Sequence, residues 1–125
     1  MNILIDTHIF LWWLKDDQKL SKSARKWITE ADRVYVSAVS LVEAAIKIQQ
    51  KKLKADIDEL IYAIKQCDFQ ELPISSEHAK TLSTLPLHHR DPFDRILIAQ
   101  AIAEPLQFLT SDDMLVQYSD LVMTA

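Results

Sequence analysis

Ile3-Leu4-Ile5 is an unbroken apolar run of strand length, closed by a carboxylate, Asp6, and followed at once by residues with helical spacing. A run that does not alternate suits a strand covered on both faces, and parallel sheets in α/β proteins are what cover strands in that way. The unit then recurs along the chain. Strands are predicted at Asn2 to Asp6, Val34 to Ser37, Phe69 to Pro73 and Gln107 to Thr110, with Leu121 to Met123 as a further edge strand. Between them lie helical segments at Thr7 to Leu14, Ser21 to Ala31, from a cap at Ser37 or Ser40 to about Lys51, Asp56 to Cys67, Ser75 to Leu82, and from Asp91-Pro92 through Ala103, with a short helix at Ser111 to Tyr118. Strand and helix in alternation predict an α/β fold: a mainly parallel sheet of four or five strands with helices on both faces. The segment from Pro92 to Ala103 is apolar nearly all round and belongs at the centre.

None of the 125 residues is glycine. A phosphate-cradling P-loop, a dinucleotide-binding turn, a kinase glycine loop, a glycine nucleophile elbow and an EF-hand loop all need glycine where backbone must approach ligand or turn sharply, so all are excluded. Phosphate chemistry on this chain would have to use side chains and metal. Residues 1–125 are expected to form one domain, since hydrophobic residues at 49% and charged residues at 26% match a compact soluble protein and no linker or repeat intervenes. The longest early apolar stretch, Ile9 to Leu14, is far short of the roughly 20 residues that span a bilayer. No secretory leader pattern is visible, and the single Cys67 can form no internal disulfide, so the expectation is a cytoplasmic protein with no membrane segment.

The acidic residues stand at the joints of this pattern. Asp6 follows the first strand, Asp94 lies in Asp91-Pro92-Phe93-Asp94 at a helix start, Asp112 follows the fourth strand, and Glu43 sits in the third helical segment. Parallel strands carry such positions to one sheet edge, where open α/β folds bind ligands. Carboxylates gathered there repel one another unless a cation offsets them, which points to a hard divalent metal and phosphate chemistry. Each has a plainer reading. Asp6, Asp91 and Asp112 or Asp113 can be helix caps, Asp94 gains from a helix dipole, and Glu43 can pair with Lys47 at i, i+4. Arg95 or a metal would compensate Asp94 beside the apolar run Ile96 to Ala99.

The histidines His8, His88 and His89 lack zinc-motif spacing, so a histidine metal site is not expected. Trp12 and Trp13 read as core or subunit contact, and the apolar Phe10, Trp12 and Trp13 region suggests a dimer. With 14 Lys and Arg against 18 Asp and Glu, the net charge of -4 offers no global attraction to nucleic acid. Contact with nucleic acid must be local, at Lys47, Lys51, Lys52 and Lys54 or at His88, His89, Arg90 and Arg95, where solvated helix faces are the plainer account.

Ile5-Asp6-Thr7-His8, Ser37-Ala38-Val39-Ser40-Leu41-Val42-Glu43, the stretch from His89 through Asp94 to Ala101, and Leu109-Thr110-Ser111-Asp112 together resemble the PIN-domain family, over essentially the whole chain. The likeness is greatest to its toxin branch, the VapC-type ribonucleases of toxin-antitoxin pairs. It implies a three-layer α/β/α sandwich and a metal-dependent endoribonuclease, often a homodimer, whose acidic pocket is covered by the tail of an antitoxin. By motif position Asp6, Glu43, Asp94 and Asp112 match the family's acidic quartet. Asp91 is an additional acid in the third motif and a further candidate ligand.

Such a pocket would hold Mg²⁺ or Mn²⁺ on two or more carboxylates and activate a water against an RNA phosphodiester. Thr7 and Thr110 hydroxyls would fix carboxylate rotamers or contact phosphate, and Arg90 or Arg95 would clamp the RNA backbone. Two rival classes remain. A phosphatase or phospho-acceptor domain also places an Asp after its first strand, but the haloacid type needs a second Asp where this chain has His8. A non-catalytic α/β interaction module would use the acids only as caps.

Overall fold

Ile3, Leu4 and Ile5 form a strand buried on both faces in the computed structural model, which describes residues 1–125. This strand, β1 (Asn2–Ile5), is followed by α1 (Thr7–Lys15), α2 (Lys22–Glu30), β2 (Arg33–Ser37), α3 (Ala38–Gln49), α4 (Ile57–Gln66), β3 (Gln70–Leu72), α5 (Ser76–Thr84), α6 (Pro92–Ala103), β4 (Gln107–Thr110), a 3₁₀ helix (Asp113–Tyr118) and β5 (Val122–Thr124). The five strands make one sheet in the order β3-β2-β1-β4-β5, and every neighbouring pair is parallel. The expected mainly parallel sheet is therefore wholly parallel.

Successive side chains of β1 point to opposite faces, and each face carries its own core. Ile3 and Ile5 pack with Ile9, Phe10, Ala24, Ile28, Leu60 and Ile64 from α1, α2 and α4. Leu4 packs with Leu97, Ile98 and Ala101 of α6 and with Phe108 and Leu115. Helices thus cover both faces, the three-layer α/β/α arrangement. The apolar α6 buries Leu97 through Ala101 without interruption.

Local differences from the sequence expectations are instructive. Asp6 is not the last residue of β1 but the N-cap of α1, its Oδ1 accepting from the Ile9 amide at 2.8 Å. Ser37 caps α3 by accepting from the Val39 amide at 3.0 Å, while Ser40 lies inside the helix. The segment expected as a short helix from Ser111 is a 3₁₀ helix that starts at Asp113 behind an Asp112 cap. Phe10 is core, 2% exposed, whereas Trp12 and Trp13 are half-buried, the Trp13 ring lying 6.0 Å from Phe69.

Strand β1 has β2 on one side and β4 on the other, and their connections leave in opposite directions. At such a switch point the loops beyond the carboxyl ends part and leave a crevice. Asp6 and Thr110 stand at those ends.

Candidate active site

The crevice beyond β1 and β4 is a hollow of about 610 Å³ lined by Asp6, His8, His89, Asp91, Asp94, Ser111, Asp112, Asp113 and Met114. Three parts of the chain supply its carboxylates. The end of β1 brings Asp6, the start of α6 brings Asp91 and Asp94, and the turn after β4 brings Asp112 and Asp113.

Asp6 is held from two sides. Besides capping α1 through Oδ1, it accepts a 2.6 Å hydrogen bond at Oδ2 from the Thr110 hydroxyl across the β1–β4 pair. Thr110 Oγ1 in turn accepts from the Asp112 amide at 3.1 Å. Burial drives the Asp6 pKa upward, against the lowering pull of the Thr110 hydroxyl and the Ile9 amide. One threonine hydroxyl thereby joins two acids that lie 106 positions apart.

Asp94 lies one turn into α6. Burial raises its pKa from 3.8 to about 6, helped by the negative charges of Asp91 and Asp6 and opposed by the hydrogen bond to His89. That Asp6 acts on Asp94 electrostatically places the two in one field. Asp91 caps α6, its Oδ1 accepting from the Phe93 amide at 2.9 Å, and also lines the hollow, so its capping and site readings hold together. Asp112 does likewise: Oδ1 accepts from the Met114 amide at 3.0 Å while Oδ2 faces the hollow.

His89 is the residue that sequence reasoning missed. Its Nε2 lies 3.0 Å from Asp94 Oδ2 and 3.2 Å from Asp112 Oδ2. These three donor atoms fall within 4.8 Å of one another, close enough to share an ion. The loop before α6 holds the ring there: the His89 amide donates to the Tyr118 hydroxyl at 2.8 Å, and the His88 ring meets the Tyr118 ring edge-on at 5.2 Å. His89 lacks zinc-motif spacing, but a ligand set assembled from separate loops needs no such spacing. The only sequence signal was the position of His89 two residues before an Asp-Pro helix start.

Arg95 does not compensate Asp94. Its Nη2 donates to the Leu85 carbonyl at 3.4 Å, bracing the loop that carries His89. Arg90 is exposed on that loop. Glu43 is not among the residues lining the hollow; it is 6% exposed and pairs with Lys47 at 3.0 Å, the i, i+4 contact. The Thr7 hydroxyl bonds to Ser40 Oγ at 2.8 Å, fastening the start of α1 to α3 one turn before Glu43. Of the four acids at matching motif positions, the structure brings Asp6, Asp94 and Asp112 to the lining of one hollow, which Glu43 on α3 does not line.

Five carboxylates facing one space repel one another, and the charges of Asp91 and Asp6 add to the effect of burial in raising the Asp94 pKa. Hard oxygen donors with one imidazole form a donor set for a small divalent cation. Residues 3–121 match the PIN domain family. Ribonuclease VapC22 of Mycobacterium tuberculosis (strain ATCC 25618 / H37Rv) is 30% identical over 112 residues, covering 88% of this chain and 86% of that protein. Among solved structures, VapBC2 from Rickettsia felis bound to a DNA fragment from their promoter superposes with a TM-score of 0.74 at 13% identity, over 100% of this chain and 98% of that one. FitAcB from Neisseria gonorrhoeae superposes with a TM-score of 0.69 at 18% identity, over 98% of this chain and 96% of that one. At such identities the structural likeness is one of fold.

Proposed function

The chain belongs to the PIN domain family, and on that footing we propose that it is a metal-dependent endoribonuclease, the toxin of a toxin-antitoxin pair, that hydrolyses RNA phosphodiester bonds. The observation that carries this reading is the convergence of Asp6, Asp94 and Asp112 from chain-distant elements on one hollow, with Asp94 raised to about 6 by burial and by its acidic neighbours. Asp6, Asp94 and Asp112 would hold Mg²⁺ or Mn²⁺, with Asp91 as a further carboxylate and His89 at the rim. When bound, the ion supplies positive charge to the phosphodiester and lowers the pKa of a water for attack.

The chain's own groups prepare that step. Thr110 holds the Asp6 carboxylate in one rotamer, and His89 sets Asp94 and Asp112 at a common distance. Thr7 fastens α1 to α3, and Glu43, the fourth acid of the catalytic set by motif position, is held by its ion pair with Lys47. Arg90 is the free cation of the loop for the RNA backbone, whereas Arg95 supports the loop itself. An antitoxin is the implied protein partner, supported by the VapBC and toxin-antitoxin complexes among the structural relatives. A homodimer belongs to the same proposal, with the half-buried Trp12 and Trp13 as its candidate apolar contact.

The test incubates the purified protein with defined tRNA and mRNA transcripts, with and without Mg²⁺, and maps the cut ends. Cleavage should require the ion, and Asp6→Asn and Asp94→Asn should each abolish it while the protein stays folded. Full cleavage by the purified double variant would remove the reading. If Mn²⁺ does not bind at the acid cluster even at high concentration, the acids are caps only and the chain is an interaction module.

A further inference from the structure

His8 has a foot in two places. Exposed at the rim of the acid hollow, it also lines an adjoining recess of about 220 Å³ walled by Trp12, Lys15, Lys19, Lys47 and Lys52. Lys15 and Lys47 come from the last turns of α1 and α3 and Lys19 and Lys52 from the segments that follow them, brought together because α1 and α3 pack against each other. They are four of the 14 Lys and Arg of a protein whose net charge is -4, so this concentration runs against the overall balance. Lys47 is paired with Glu43, but Lys15, Lys19 and Lys52 take part in no ion pair. One carboxylate, Asp17, also lines the recess, and its Oδ1 is occupied by the Lys19 amide at 2.9 Å. Four lysines against the charges of Asp17 and Glu43 leave positive charge in excess on this concave surface, which attracts an anion with several charges.

Given the nuclease reading above, on which this inference rests, we propose that the lysine recess seats the backbone of single-stranded RNA immediately to one side of the phosphate being cut. Three features favour a polynucleotide. The recess joins the acid hollow through a shared wall at His8, so one strand can occupy both. Its cations are lysines, which meet phosphates as point charges without demanding a fixed fork geometry. Trp12 is half-buried with its ring 6.1 Å from that of His8, offering an aromatic surface for a base beside the cations. The strand would thus be gripped by charge in the recess and presented to the carboxylates at its end.

The test measures binding of a short fluorescent single-stranded RNA in EDTA, where no cleavage occurs, across a range of salt. Lys19→Glu/Lys52→Glu should weaken binding at least about tenfold and reduce the slope of log affinity against log salt by about 1.4, since each phosphate contact to a single strand contributes about 0.7. The control Lys26→Glu/Lys65→Glu reverses the same charge on exposed helix positions outside the recess. Equal weakening in both pairs, or none in either, would overturn the proposal, as would failure of the unaltered protein to bind RNA at low salt. Loss of poly-glutamate binding with RNA affinity intact would overturn it in favour of an acidic protein segment. The two readings fail separately: an unaltered protein that binds RNA through the recess but never cuts it retires the nuclease, and one that cuts equally well with both lysines reversed retires the recess.

Discussion

Asp94 is pulled in two directions, and the balance has a measurable consequence. Burial and the charges of Asp91 and Asp6 raise its folded pKa to about 6 from an ordinary 3.8, while His89 restrains the rise. A raised carboxylate pKa means that the folded protein binds the proton more tightly than the unfolded chain does. The stabilisation is complete below pH 3.8 and is lost as pH rises through about 6. At pH 7 the ionised cluster therefore weakens the metal-free protein. Asp94→Asn should stabilise it in EDTA at pH 7 by about 1 to 2 kcal/mol, discounted for solvent screening, and give no gain at pH 3.5. Urea melts at the two pH values decide this, and equal effects at both would contradict it. Thr110 makes a second residue-level case. Thr110→Val keeps the shape but removes the donor to buried Asp6, and should cost about 1 to 3 kcal/mol in the same melts. An unchanged midpoint would mean that water replaces the hydroxyl.

Helix ends show how a chain without glycine makes its turns. Asp16, Lys51 and Asp68 adopt left-handed backbone with φ of 50°, 59° and 58°, each just beyond a helix. Glycine takes this conformation without penalty, whereas a residue with a Cβ pays for it. Lysine has no short polar side chain to ease the strain, so Lys51→Gly should stabilise the protein by about 1 kcal/mol, read as a higher denaturant midpoint. A lower midpoint would show that the side chain contributes more than the backbone strain costs. A different device joins α5 to α6. Buried His78 accepts the Ser75 amide at Nδ1 at 3.0 Å and donates from Nε2 to Glu104 at 2.7 Å, so one imidazole caps the first helix and reaches the C-cap of the second. Nothing in the local sequence of Ser75 to Leu82 distinguishes His78 as buried, because its partner lies 26 positions away.

Across the whole molecule, the two cores hold the sheet, and the sheet brings the carboxylates to one hollow, Asp6 buried at its base and the others partly open to solvent. A cation that binds only this assembled cluster must stabilise the fold by mass action. Mn²⁺ at a hundred times its dissociation constant should add about 2.7 kcal/mol, reversed by EDTA and largely lost in Asp94→Asn. Thermal melts with and without the ion check this, and an identical shift in the variant would place the ion elsewhere.

The order of strands and helices could be read along the chain because each element carries its own period and its own cap: Ile3-Leu4-Ile5 before Asp6, Ser21 before α2, Asp91-Pro92 before α6. The positions of Asp6, Asp94 and Asp112 at element ends were legible for the same reason. Three things waited for the tertiary structure. The strand order decided that β1 and β4 are neighbours, which lets Thr110 bind Asp6. The loop before α6 decided that His89 faces two carboxylates. The packing of α1 against α3 decided that lysines far apart in the chain share a recess. Caps and periods are contacts within about four residues, and sequence records them directly. Contacts between distant segments depend on how the cores pack, and no local pattern encodes which ends meet.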